Sequence, residues 1–338
     1  MNRFTHICIV VICLIFTISI IGEGQLYAQT DANIKAAKKT VTDASGSLKP
    51  YHKFSDNDSV PWFFGGDATL VFKATSLTNW ASGGEDQIEM RPVVNLFYNY
   101  KKDKRTFENY VTFAYGFLKT GERKAIKNDD RLHYTSKFGY QIKPKLYYTT
   151  ALLARTQFSP GYKYSPTDTV RISDFMAPAY LYVSIGIDYR PGDSFSFALS
   201  PLMGKATYVN SGDMNILATA GMVTVEKDEN GYDIQIPHRS RHEFGGGALL
   251  SFNGNLFNNK VSYNSQVDLF SNYVQNPENV DIYWTFHSKI LLYKNISADI
   301  RLELKYDDDQ KTVNDDGSLG GAKTQIKNYF GVGLFYQF

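Results

Sequence analysis

Cysteine is nearly missing from this chain, and the two that occur sit together. Cys8 and Cys13 both lie within the first 28 residues, so a chain cleaved after that stretch carries no thiol. Disulfides, thiolate nucleophiles and cysteine-bound zinc are then excluded. Long apolar runs are missing as well. After Ile21 no stretch approaches the roughly 20 apolar residues that a membrane-crossing helix needs. Nor is there an excess of one charge: 36 basic residues stand against 34 acidic ones, and a net +2 provides no field to draw in nucleic acid. Catalytic signatures are equally scarce. The chain has no G-x-S-x-G elbow and no His-Glu-x-x-His pair. His287 adjoins Ser288, but neighbours in a strand point to opposite faces and cannot share a proton. The expectation is a protein that is not an enzyme, with no cofactor and no metal.

Aromatic residues, by contrast, are plentiful, with 24 Tyr and 23 Phe. Abundant aromatics without a helical span suit the interfacial girdles of a transmembrane β-barrel. Residues 1–28 read as a secretory signal. Arg3 starts it, Ile7 to Ile21 forms an apolar core too short to anchor, and Leu26-Tyr27-Ala28 offers a cleavage site. Neither cysteine lies at that junction, so a lipid-anchored start is not expected. Residues 29–60 are polar and read as a periplasmic leader, with a plug folded into the lumen as the alternative.

From residue 61 onward the pattern has period two, and about twelve strands can be drawn. They cover 67–78, 87–100, 106–118, 130–141, 146–158, 179–190, 195–208, 241–253, 261–272, 280–292 and 296–306, and then the closing strand. In that last strand Phe330, Val332, Leu334, Tyr336 and Phe338 share one face. A terminal strand of this kind looks like the closing strand and assembly signal of a bacterial outer-membrane barrel, which makes the barrel-assembly machinery a partner. Pro92 and Pro201 fall inside two runs, where a missing N–H predicts a bulge or irregular pairing.

Loop lengths supply the topology. Short and long links alternate along the whole chain, the long ones first. Sorting loops by end in this way is a property of bacterial barrels, with short periplasmic turns and longer outer loops. An even strand count leaves both termini in the periplasm. Twelve strands closed with the apolar face inward would leave a cavity too wide for side chains to fill. The apolar faces must therefore meet lipid, and the charged faces the lumen. The predicted fold is all-β, a transmembrane antiparallel up-and-down β-barrel of about twelve strands.

Alternation places Glu89, Arg91, Glu108, Arg131, His133, Lys137, Arg155, Asp188, Asp268, His287, Lys289, Asp299, Arg301, Glu303 and Lys305 in the lumen. Both signs are mixed, which predicts cross-strand ion pairs around a wet or partly filled interior. A ring that selects a small solute is the alternative. Asp299, Arg301, Glu303 and Lys305 alternate in sign and are placed to pair with Lys289 or His287. The acidic loop from Asp307 to Gly317 reads as solvated, with divalent-cation bridging to lipopolysaccharide as its functional alternative. In the longest loop, 222–225 and 232–236 are expected to form a hairpin above the membrane or over the pore.

Several stretches resemble a family of uncharacterised outer-membrane barrels from Bacteroidetes-type bacteria, domain of unknown function 3078. They are Leu77-Thr-Asn-Trp80-Ala-Ser-Gly83-Gly84-Glu, Thr135-Ser-Lys-Phe-Gly-Tyr140, Thr156-Gln-Phe-Ser-Pro-Gly-Tyr162, Phe175-Met-Ala-Pro-Ala-Tyr180 and Asp268-Leu-Phe-Ser-Asn-Tyr273-Val-Gln-Asn-Pro277. The resemblance implies an outer-membrane barrel and brings no activity or ligand. In the first motif Gly83-Gly84 permits a positive-φ bend and Trp80 suits the membrane interface, so a structural turn is expected.

The functional expectation is an outer-membrane channel, or a binding or transport barrel for a small solute or lipid-like ligand. Its alternative is a structural or surface-interaction barrel with a sealed lumen. A lipid-modifying enzyme is the third possibility, and it would require lipid turnover lost in His133→Ala or His287→Ala. Outer-membrane lipid and lipopolysaccharide are the expected surroundings.

Overall fold

The computed structural model describes residues 61–76, 85–164, 169–192, 194–308, 311–313 and 319–338. The signal segment, the leader or plug, and the Trp80, Gly83 and Gly84 turn lie outside these residues. In chain order the first strands are β1 (Trp62–Thr75), β2 (Gln87–Lys102), β3 (Arg105–Thr120), β4 (Ile126–Lys143), β5 (Leu146–Thr156) and β6 (Gly161–Tyr164). Next come β7 (Thr169–Ser173), β8 (Ala179–Gly192), β9 (Phe195–Tyr208), helix α1 (Met214–Thr219), β10 (Val223–Lys227) and β11 (Asp233–Pro237). The chain continues through β12 (Ser240–Leu256), β13 (Val261–Asn272), β14 (Val280–Tyr293), β15 (Ile296–Tyr306), β16 (Lys311–Val313), β17 (Leu319–Ala322) and β18 (Gln325–Gln337).

Twelve of these close one antiparallel barrel in the order β1, β18, β15, β14, β13, β12, β9, β8, β5, β4, β3, β2. The remaining strands pair as the hairpins β6–β7, β10–β11 and β16–β17. All three rise from the end that carries the long links. The opposite end holds the tight turns, whose Asp103, Lys145 and Lys294 adopt positive φ. The 222–225 and 232–236 expectation is met by β10–β11. Helix α1 and the other two hairpins were not expected.

The alternation that predicts strands also decides which face is which. Asp67, Arg91, Glu108, Asp188, Lys289 and Asp299 are buried, while Leu70, Leu96, Val183, Ile187, Leu199, Val332 and Leu334 are exposed. The apolar side faces outward around the ring, and the ionised side faces in. Exposed aromatics concentrate at both rims. Near the turns stand Trp62, Tyr98, Tyr140, Tyr148, Tyr189 and Tyr336, with Trp62 and Tyr98 stacked at 4.4 Å. Near the long links stand Phe72, Tyr208, Phe244, Tyr273 and Phe330. Amphipathic rings at both edges of an aliphatic belt are what a bilayer selects. The fold is a transmembrane antiparallel up-and-down β-barrel.

Both prolines mark irregular pairing. β2 and β3 pair at Met90↔Phe117 and resume at Val93↔Ala114, skipping Pro92. Around Pro201 the register slips against both neighbours, between Gly245 and Gly247 and between Ile185 and Ile187. Opposite this bulge the backbones crowd: a Cβ on Gly186 would lie 2.1 Å from the Leu199 carbonyl oxygen and 2.7 Å from Ser200 Cα. Backbone cannot yield as a side-chain tip can, so Gly186→Val is expected to destabilise the barrel by about 3 kcal/mol. A urea titration of the protein folded into vesicles would read this as a lowered midpoint.

Candidate functional site: the ion-paired interior and its lid

Each inward side chain is aimed by strand alternation, and the closed ring turns those faces toward one another. The pairs that result reach well beyond neighbouring strands. Arg131 of β4 donates through Nη1 to Glu303 Oε1 of β15 at 2.5 Å, and Arg155 of β5 donates to Asp268 of β13 at 2.6 Å. These strands are far apart in the ring, so both bonds cross the lumen.

Toward the turns, Arg190 bonds Glu108 at 2.5 Å and Asp188 at 2.7 Å, and Lys137 bonds Asp188 at 2.8 Å. Lys289 donates to Asp67 at 2.9 Å and to Thr69 at 2.8 Å, with its ammonium 3.9 Å from the Phe335 ring centre. His287 and Asp299 meet at 3.0 Å, and Arg301 approaches Asp299 at 3.4 Å. Glu89 accepts from the Asn128 amide at 2.7 Å.

At the mouth beneath the long links, Lys205 stands among three carboxylates. Its ammonium lies 2.7 Å from Asp281, 3.4 Å from Glu243 and 3.8 Å from Asp307. Lys305 reaches Asp307 at 4.0 Å. Oxygens of Asp281, Asp307 and Asp308 lie within 4.8 Å of one another, close enough to share a cation, and Lys205 already brings one positive charge to two of them. Asp307 is buried, which corrects the expectation that its loop is solvated at this position. Of the rest of that loop, residues 309–310 and 314–317 lie outside the described residues.

Of the residues expected in the lumen, Arg91, Glu108, Asp188, Lys289 and Asp299 are buried, and the pairing of the alternating quartet follows the expectation in part. Asp299 meets His287 as expected, but Lys289 reaches Asp67 past both β15 and β18, and Glu303 is drawn across the lumen to Arg131. Sequence reasoning missed Asp67, Asp129, Arg190, Lys205, Glu243 and Asp307 as members of the network. Asp129 accepts from Arg91 Nε at 2.5 Å and from Arg131 at 3.0 Å. A polar cavity of about 20 Å³ remains beside these groups, room for roughly one water molecule.

A lid covers the mouth. The Asp213 carboxylate accepts from the Asn215 N–H and caps α1, whose Ile216 and Leu217 pack with Ala177, Val209, Ala220 and Met222 in a small apolar cluster. The helix touches β7, β10 and β16. β7 and β16 belong to links from different parts of the rim, so α1 ties them together over the opening. An aspartate followed by an Ile-Leu pair was the available signal for this helix, too short for periodicity to register.

The chain is similar to several solved structures. The translocator domain of autotransporter NalP from Neisseria meningitidis is similar over 92% of this chain and 97% of that one, at 9% identity and TM-score 0.35. The COG4313 outer membrane channel from Pseudomonas putida F1 is similar over 86% and 100%, at 10% identity and TM-score 0.38. The P. putida toluene transporter TodX is similar over 88% and 97%, at 12% identity and TM-score 0.31. No curated protein matches the sequence. Residues 72–162 match the model of a family described as Protein of unknown function (DUF3078), a span that includes the 77–85, 135–140 and 156–162 motifs and ends before those at 175–180 and 268–277.

Proposed function

We propose that this chain is an outer-membrane barrel of a Gram-negative cell whose lumen is held shut along its axis. The observation that carries this reading is the pair of crossing bonds, Arg131 to Glu303 and Arg155 to Asp268. With the lid above and the Arg190, Asp188 and Glu108 group below, they leave a solute no continuous path. Such a barrel acts through its surface or its wall, with no catalysis and no cofactor. Lipid and lipopolysaccharide surround it, the barrel-assembly machinery inserts it, and both termini face the periplasm. The same reading extends the family likeness to the whole barrel and to a Bacteroidetes-type source.

In planar bilayers the wild-type protein is expected to insert and stay electrically silent. Removing both crossing pairs, as Arg131→Ala, Glu303→Ala, Arg155→Ala and Asp268→Ala together, is expected to bring stepwise conductance. Steady conductance by the wild type would refute the sealed lumen.

A second reading, transport of a small solute or lipid-like ligand gated by the outer loops, is favoured by one feature. The lid is packed on a handful of apolar side chains, so it is the part of the seal that opens at least cost.

A further inference from the structure

The barrel wall is unevenly sewn. β1 pairs with β2 along its entire length, from Trp62↔Tyr100 to Thr75↔Gln87. Its pairing with β18 starts at Asp67↔Gln337 and stops at Val71↔Gly333 among the described residues. β18 continues against β15 up to Lys305↔Gln325, while from Val332 to Asn328 its other edge has no strand partner among the described residues. Burial agrees with an opening. Asp67, Thr69 and Val71 on the inward face of β1 are buried, yet Lys73 and Thr75 on the same face are exposed. On β18, Gln325, Ile326, Lys327 and Asn328 are all exposed, whichever face they belong to. The gap begins at the outer rim, level with Phe72 and Phe330, where acyl chains meet headgroups.

Behind this gap lies the polar cavity described above. Val71, at the top of the seam, is opposite Arg91 in register, and Arg91 lines the cavity together with Asp129, Arg131, Arg301, Glu303 and Lys327. Tyr329, also in the lining, belongs to the unpaired edge of β18 and lies under the Arg91 guanidinium at 3.9 Å. The lining thus sets four cationic side chains against two carboxylates. Asp299 and Glu89 stand behind it, bound to Arg301 and Asn128. Within this lining, two buried guanidinium nitrogens make no hydrogen bond to a described residue: Arg91 Nη1, on a residue 2% exposed, and Arg131 Nε. An unpartnered guanidinium N–H costs free energy until an acceptor reaches it, and an anionic oxygen is the strongest acceptor available. Lys327 lies 3.4 Å from Asp129 with its side chain half exposed, so it can swing aside to admit a group larger than water.

We propose that this is a binding site for an anionic amphiphile, with its phosphate-like head in the Arg91, Arg131 and Lys327 pocket and its tail leaving through the β1–β18 gap into the bilayer. The proposal rests on the membrane reading of the outer face and supplies a ligand class and a sideways route for it. The axial seal and the lateral gap are compatible: a ligand entering from the membrane never traverses the lumen.

The test uses the full-length chain in phosphatidylcholine nanodiscs, with insertion checked separately by co-flotation so that a failed site is distinguishable from a failed membrane reading. Dodecyl phosphate, inorganic phosphate and dodecyl maltoside are titrated as probes. Dodecyl phosphate is expected to bind at least about tenfold more tightly than either of the others, and Arg91→Gln to weaken it by about tenfold, the scale of one charge-assisted hydrogen bond. A disulfide between Ala74→Cys and Phe330→Cys, positions that would face each other if the seam continued, is expected to erase the advantage of the tail. It should leave inorganic phosphate binding unchanged, and reduction should restore the advantage. Equal binding of dodecyl phosphate and inorganic phosphate, or full affinity in the cross-linked form, would overturn the proposal. If Arg91→Gln fails to fold, Lys327→Gln on the exposed rim gives the same reading of the head site.

Discussion

Lys205→Met is expected to lower the stability of the folded barrel by about 3–5 kcal/mol, the cost of stripping the partner from buried charges. The magnitude follows from what would remain. Glu243 and Asp307 are themselves buried, and with Asp281 they would repel one another where water has little access. The methionine fills nearly the same volume, so packing changes little and the loss is electrostatic. Urea unfolding in vesicles would show it as a lowered midpoint. Adding Glu243→Gln and Asp281→Asn to the same variant is expected to restore much of the loss. If Lys205→Met unfolds at the wild-type midpoint, the mouth cluster is solvated and its charges do not depend on Lys205.

The second large effect belongs to the outer face. Ile185 is 53% exposed near the middle of β8, where a water-soluble protein would tolerate nearly any side chain. Ile185→Arg is expected to cost about 2–4 kcal/mol if that face meets the hydrocarbon midplane. The same change on a water-exposed surface would stay within about 0.5 kcal/mol. Ile185→Leu serves as the neutral comparison. Refolding into vesicles measures the difference directly, and a tolerated arginine would remove the basis for placing the belt in lipid.

Much of this barrel can be read from the residues because its strands alternate over long runs. Ile296 to Tyr306 changes character at every step, and β15 occupies that stretch to the residue. Where alternation breaks, the reading fails for an identifiable reason. Before Pro201 the even positions Ala198 and Ser200 are buried and Leu199 is exposed; after it Leu202 is exposed and Lys205 and Thr207 are buried. The bulge exchanges the two faces, and a count carried through it leaves Lys205 out of the lumen. Proline announced the bulge but not its effect on parity. Arg190 and Asp129 were missed for a different reason, since each lies at or beyond the end of a strand as drawn from periodicity. Partner choice was out of reach altogether. That Glu303 meets Arg131 rather than a neighbour on β14 depends on ring closure, which brings together residues far apart in sequence. The barrel-closing residues Phe330, Val332, Leu334, Tyr336 and Phe338 were legible as a face, and all five are exposed on it. That β18 runs on past its seam with β1 was not.

The bonds that cross the interior also have a mechanical consequence. Arg131 to Glu303 and Arg155 to Asp268 join opposite walls as braces join the sides of a frame, so the cross-section resists being squeezed into an oval. Deformation imposed by surrounding lipid is then shunted to whichever stretch of wall lacks such bracing and such stitching. The compliance of the whole shell concentrates at one vertical line between its first and last strands.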